Sequence, residues 1–249
     1  MTAPDPRHVI VRSDPAALAE VAAQRLVDRI ATSAVPAAVC LTGGSTPRRL
    51  YELLATPPWR DRIPWSQVHW FIGDDRFVAQ DDPLSNIGMA RRAFLDTCAA
   101  PGTVHAIPTG AATPDEAADG YARTLTTFHA SQRGGRPLFD LVLLGIGPDG
   151  HVASLFPNDA AALAERRKWV VGVPRANVSP FVPRVSLTFT SLASTSEMLF
   201  VVAGHDKQAV LQRLIAGADL PAAHARASDG ETVWLIDEAA RPANLNVTT

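Results

Sequence analysis

Short apolar runs recur along this chain, each closed by a loop and followed by residues at helical spacing, and that alternation restricts the folds open to it. His8 to Val11, Ala37 to Leu41, Val68 to Ile72 and residues 140–144 read as strands. Between the first two, Asp14-Pro15 offers an N-cap followed by proline at the first helical position. Leu18, Val21, Ala22, Arg25, Leu26 and Ile30 then fall on one mainly apolar helical face. Thr46-Pro47 repeats the cap-plus-proline signal before Leu50, Leu53 and Leu54, and Ile87 to Leu95 and Asp115 to His129 are further helices. Trp169 to Val173, Arg184 to Phe189, Met198 to Val202 and Thr232 to Ile236 complete the strands, with a helix from His205 to Ala216 ending at Gly217. Strands separated by helices predict an α/β fold with a mostly parallel sheet. The segment 157–183 breaks the alternation and is expected to form a small subsidiary lobe. No Gly-, Ser- or Pro-rich linker divides the chain, so residues 1–249 are read as a single domain.

A chain of 249 residues, 47% hydrophobic and 19% charged, can bury a substantial core as an ordinary soluble protein. Its formal net charge of −2 gives no electrostatic case for nucleic acid or an anionic membrane as partner. No run approaches the roughly 18 consecutive apolar residues of a membrane span. The polar stretch Met1 to Arg7 lacks the apolar segment of a signal peptide, so a cytoplasmic protein is expected. Cys40 and Cys98 fit buried free thiols in a reducing compartment.

The chemistry concentrates in Phe139 to Pro157. Its apolar strand stops at Gly145, the first of three glycines that lead to Asp149 and His151 where the strand empties into a loop. In open parallel α/β sheets ligands bind beyond the carboxyl ends of the strands. A histidine delivered there can take and return protons near neutral pH. Gly145-Ile-Gly147-Pro-Asp-Gly150 also matches the dinucleotide fingerprint letter for letter. That fingerprint needs an unbroken helix and an acid at the end of the next strand. Pro157 and the Pro174-Arg175 ending deny it both.

Three more strand ends should reach the same rim. Gly43-Gly44-Ser45-Thr46-Pro47 combines close backbone N–H groups, a helix N-terminus and hydroxyls, which together suit an anion. Its blander reading is a tight turn with Thr46 as the N-cap. Gly73-Asp74-Asp75-Arg76 brings two acids and an arginine to a strand tip, or forms a solvated turn with a local Asp–Arg pair. Gly204-His-Asp-Lys207 places Lys207 in a first helical turn, where a nearby anion would offset its unfavourable position. Arg184 is a second cation or a surface residue. No Cys/His cluster has metal-ligand spacing, and no metal or dissociable cofactor is expected. The joint picture suits a small phosphorylated substrate and proton transfer.

These motifs, together with Ser85-Asn86, Arg184-Val-Ser-Leu-Thr188 and the whole of 145–157, resemble the 6-phosphogluconolactonase family in order from about 10 to 237. The resemblance implies a modified Rossmann-like, doubly wound sheet and hydrolysis of 6-phospho-D-glucono-1,5-lactone in the oxidative pentose phosphate pathway. The sister family, glucosamine-6-phosphate isomerase/deaminase, follows its Asp-Gly-His with Ala-Phe-Asn-Glu-Pro, whose Glu supports the histidine. Here Ala153-Ser-Leu-Phe-Pro157 has no Glu. Asp75 stands where the lactonases carry Glu, and Ser186 where they carry Thr. Catalysis is expected from His151 as general base, with Asp149 or Asp74 orienting its ring and backbone N–H groups of 145–150 as oxyanion donors. Gly43, Gly44, Ser45, Thr46, Arg76, Asn86, Arg184 and Lys207 are expected around a sugar-phosphate substrate. The protein is expected to act as a monomer, without nucleic acid or membrane.

Overall fold

The computed structural model describes residues 8–33 and 36–245; the polar stretch read at residues 1–7 lies outside them. The described residues form ten strands, most of them separated by helices: β1 (Val9–Arg12), β2 (Ala37–Leu41), β3 (Val68–Ile72), β4 (Asp74–Arg76), β5 (Val104–His105), β6 (Phe139–Leu144), β7 (Val170–Val173), β8 (Arg184–Leu187), β9 (Thr195–Val202) and β10 (Glu231–Asp237). Seven form a parallel sheet in the order β1-β10-β9-β6-β2-β3-β5. Every residue of β2 and β6 is buried, which is what a central strand covered on both faces requires and why, apart from Asp140, both read as apolar runs.

The chain passes from β2 outward to β3 and β5, then returns to lay β6 on the other side of β2 before continuing outward to β9 and β10. The winding direction therefore reverses between β2 and β6, and the loops leaving these neighbours flank the switch point where such sheets open a crevice. Register keeps the four functional tips together, with Leu41 opposite Ile72, Cys40 opposite Val142 and Leu144 opposite Phe200.

The expected subsidiary lobe exists but draws on more of the chain than 157–183. It is a three-stranded antiparallel sheet, β4-β8-β7. Its first strand is the Asp74-Asp75-Arg76 segment, which is no solvated turn. Gly73 is the crossing: its N–H donates to Leu41 O in the large sheet, and its carbonyl accepts from Leu187 N in the small one. The runs read as 169–173 and 184–189 belong to this second sheet, narrowed to β7 and β8.

Both tyrosines of the chain brace the rim. The Tyr51 hydroxyl accepts from Thr42 N at 3.0 Å and donates to Thr42 O at 2.8 Å, just past β2. Tyr121 does the same for Ile72, the last residue of β3, at 2.9 and 3.0 Å. β5 is too short to pair that far along β3, so the tyrosine satisfies backbone groups that a neighbouring strand would otherwise take.

Helix starts differ in one instructive place. Asp14 caps Pro15–Thr32 as expected, accepting from Ala16 N and Ala17 N. Thr46 is not an N-cap: the helix Ser45–Leu54 begins two residues earlier than that cap implies, with Gly44 at the cap and no side chain bonded to its first turn. Gly44 has φ of 111°, a backbone conformation costly for any residue with a Cβ. The run 87–95 is α-helical over Asn86–Ala90 and widens to a π-turn over Arg91–Leu95. His205–Lys207 is a separate 3₁₀ turn ahead of the helix Gln208–Ile215.

Candidate active site

The four strand tips and the face of the small sheet enclose a cleft of about 460 Å³. Gly43, Gly44, Ser45, Thr46, Asp74, Arg76, Asn86, His151, Arg184 and Lys207 all line it. Of the site residues read from sequence, Asp149 alone is not in the wall. It stands behind His151.

His151 is held by the loop that carries it. Asp149 Oδ1 lies 2.6 Å from Nδ1 and also accepts from the His151 backbone N–H at 3.2 Å. Burial alone would raise the Asp149 carboxyl, but the hydrogen bonds and charge of His151 outweigh it and hold the group below the usual carboxylate range. A carboxylate only accepts, so Nδ1 carries a proton, and in the neutral imidazole Nε2 is the nitrogen with the lone pair. Asp74, the other expected orienter, makes no hydrogen bond to the imidazole; Ser154 and Asn86 engage it instead. The Phe156 ring lies 4.8 Å from the imidazole, at the position where the deaminases carry Glu.

The glycine motif serves this histidine and opens no helix. Gly147 N donates to His151 O at 2.9 Å and Gly150 N to Gly147 O at 3.0 Å, closing the loop on itself. These two N–H groups, expected as oxyanion donors, are thus committed inside the loop. A Cβ on residue 147 would fall 2.0 Å from Nδ1, so only glycine lets the imidazole lie against this backbone.

On the small sheet, Asp74 pairs with Ser186 and Arg76 with Arg184, all four on the face toward the cleft. Two arginines directly opposite each other repel. Burial, followed by the charge of Arg76, lowers the pKa of Arg184. Arg184 is only 4% exposed, which rules out the surface reading. Its Nε and Nη2 donate to the carbonyls of Val182 and Pro180, and Arg76 Nη1 donates to Leu84 O. Neither arginine has a carboxylate at ion-pair distance among the described residues, and the buried Arg76 Nε has no partner there. Two facing guanidinium groups without a carboxylate can share an anion between them.

Asp75 points to the opposite face, fully buried. It accepts from Asn86 N at 2.6 Å, Arg76 N at 2.8 Å, Ile87 N at 3.1 Å and Ser85 Oγ at 3.1 Å. It therefore pins the start of the helix Asn86–Ala90 and, with it, Asn86. Burial pushes its carboxyl up to about 6, against the downward pull of the Asn86 and Ile87 hydrogen bonds. Lys207 reaches the cleft because Asp237, buried at the end of β10, accepts from Gly204 N at 3.0 Å. Nothing in the local pattern marked Asp237 beyond its being the acid that closes an apolar strand. Among the described residues no three His, Cys, Asp or Glu side chains converge as metal ligands would.

The chain is similar to known proteins along most of its length. The family described as glucosamine-6-phosphate isomerases/6-phosphogluconolactonase matches residues 13–234. A 6-phosphogluconolactonase of Synechocystis sp. is 40% identical over 206 residues, covering 81% of this chain and 82% of its own length. One from Streptomyces coelicolor is 37% identical over 249 residues, covering 95% and 94%. The structure of 6-phosphogluconolactonase from Trypanosoma cruzi superposes with a TM-score of 0.82 at 28% identity, over 96% of this chain and 97% of that one. A monomeric glucosamine-6-phosphate deaminase shares the fold, with a TM-score of 0.78 at 20% identity over 96% and 99%.

Proposed function

The chain belongs to the glucosamine-6-phosphate isomerase/6-phosphogluconolactonase family, and from that premise we propose that it hydrolyses 6-phospho-D-glucono-1,5-lactone to 6-phospho-D-gluconate. The observation that carries this reading is His151, with Nδ1 tied to Asp149 at 2.6 Å and its ring at the wall of a cationic cleft. Nε2 takes a proton from a water as that water's oxygen bonds to C1. The tetrahedral intermediate collapses, the C1 bond to the ring oxygen breaks, and the imidazolium returns its proton to that oxygen. Asp149 keeps the ring in the reactive tautomer and balances the imidazolium charge. The cations of the wall hold the phosphate, so the oxyanion on C1 is left to the N–H groups of 145–150 that the loop does not spend.

The phosphate binds between the facing Arg76 and Arg184, with Lys207, Ser45, Thr46 and the uncapped first turn of Ser45–Leu54 as further donors. Gly43, Gly44 and Asn86 shape that wall. A phosphorylated polyol is charged at physiological pH and stays where it is made, which puts the enzyme in the cytoplasm with the oxidative pentose phosphate pathway.

Two assays test the reading: acid release from freshly generated lactone, corrected for spontaneous hydrolysis, and ammonia release from glucosamine 6-phosphate. Lactonase activity without ammonia release is expected, and His151→Asn should lower kcat by about 10²-fold or more with KM little changed. Ammonia release with no lactonase rate would overturn the reading. A His151→Asn variant within a few-fold of wild type would remove the general base.

A further inference from the structure

The two oxygens of Asp74 are treated differently. Oδ2 accepts from Ser154 Oγ at 2.6 Å. Oδ1 meets only Asn86 Nδ2 at 3.5 Å, and that amide already donates to the Asp74 main-chain oxygen at 3.0 Å. One oxygen of a firmly held carboxylate thus keeps its lone pairs unspent at the cleft wall. Asp74 is only 6% exposed and is the one carboxylate among the lining residues, opposed to three permanent cations. A phosphate would be repelled by it. An acceptor-only group in such a place suits a hydroxyl donor, and a sugar lactone offers several.

Ser154 is itself built in. Its N–H donates to Ser186 Oγ at 3.1 Å, and Ser186 Oγ donates to Leu187 O at 2.9 Å, so β8 holds the Ser154 backbone. The preceding residue, Ala153, has φ of 48°, a left-handed conformation that residues with a Cβ seldom take. The Val152–Leu155 bridge closes the turn. The Ser154 hydroxyl has one proton, and since the carboxylate can only accept, that proton goes to Asp74.

We propose that Ser154 is a positioning residue that aims Asp74 at a ring hydroxyl of the substrate, so that the pair selects a fully hydroxylated sugar lactone over deoxy analogues. The proposal rests on the lactonase reading above. Its test is kcat/KM for wild type, Ser154→Ala and Asp74→Ala on the native 6-phospholactone and on its 2-deoxy and 3-deoxy counterparts. Wild type should prefer the native lactone to one of the deoxy compounds by about 10- to 100-fold, the worth of a hydrogen bond to a charged group. That preference should fall close to one in Asp74→Ala. In Ser154→Ala it should shrink several-fold, mainly through KM.

Equal slowing of all three lactones by Ser154→Ala, with the preference intact, would make the serine merely structural and overturn the proposal. So would a wild type that does not discriminate. If thermal melting shows that Ser154→Ala does not fold, Asp74→Ala decides alone: a preference that survives there overturns the proposal. Wild type inactive on the native lactone would sink the lactonase reading and this inference together. Active wild type with unchanged preferences would sink this inference only.

Discussion

The two ends of the parallel sheet use arginine in opposite ways. At the amino-terminal ends of the strands the buried Arg133 and the half-buried Arg25 and Arg29 all meet acids. Arg133 bonds Asp140 through both Nη atoms at 2.9 and 3.0 Å, with Pro36 O and Pro137 O completing its donors. Arg25 and Arg29 clamp the buried Glu197 between them at 2.6 and 2.8 Å and share Glu231. At the carboxyl end Arg76 faces Arg184, and Asp75 is surrounded by neutral donors. Charge satisfied within the fold supports stability, whereas charge left facing like charge is held ready for a ligand.

That contrast breaks most readily at Arg133. Arg133→Ala leaves Asp140 buried without its cation and should cost about 3–5 kcal/mol in urea unfolding, with turnover per folded molecule unchanged at low temperature. Lost turnover in fully folded variant would show that the amino-terminal end is not purely structural.

Arg76→Met should do the reverse. It relieves the repulsion with Arg184, so the melting temperature should hold or rise, while KM for the phosphorylated lactone increases by about 10- to 100-fold. Hydrolysis of unphosphorylated gluconolactone should be nearly indifferent to it. Inorganic phosphate should raise the melting temperature of wild type by mass action and do less for the variant. A large drop in melting temperature would place Arg76 with Arg133 and erase the comparison.

The smallest effect concerns Asp75. Its folded pKa of about 6 lies above the ordinary 3.8, so between these values the native state binds a proton that the unfolded chain has lost. Its contribution to stability therefore falls as pH rises through that window, the reverse of an acid paired with arginine. The shift is worth on the order of 3 kcal/mol at most. Comparing wild type with Asp75→Asn by urea unfolding at pH 4 and pH 7 isolates the change. A difference that does not vary with pH would mean that Asp75 is satisfied as a carboxylate after all.

What could be read from the residues in order was local. Burial on both faces leaves an apolar run, a helix leaves its period, and an exposed rim leaves glycine, hydroxyl and histidine in the loops. Eight of the ten strands and the four tips were marked in this way. The run at 68–72 even announced the rim segment after it. It did not announce that the chain crosses Gly73 into a second sheet, because β4 is three residues long and every one of them is charged. The same holds for β5, whose two residues carry no period.

The sequence by itself determined the alternation of strands and helices, the loops that meet at the switch point, and a histidine among glycines, since each is a property of neighbouring residues. Tertiary structure decided which partner each charge received. Arg76 came to face Arg184 only when β4 paired with β8. Asp149 rather than Asp74 took the imidazole, while Asp74 met a serine 80 residues away. Thr46 lost the cap to Gly44 because the loop geometry favoured a left-handed residue there. Periodicity records whether a side chain is buried; which donor meets which acceptor depends on strand register and loop packing, and no local pattern carries that information.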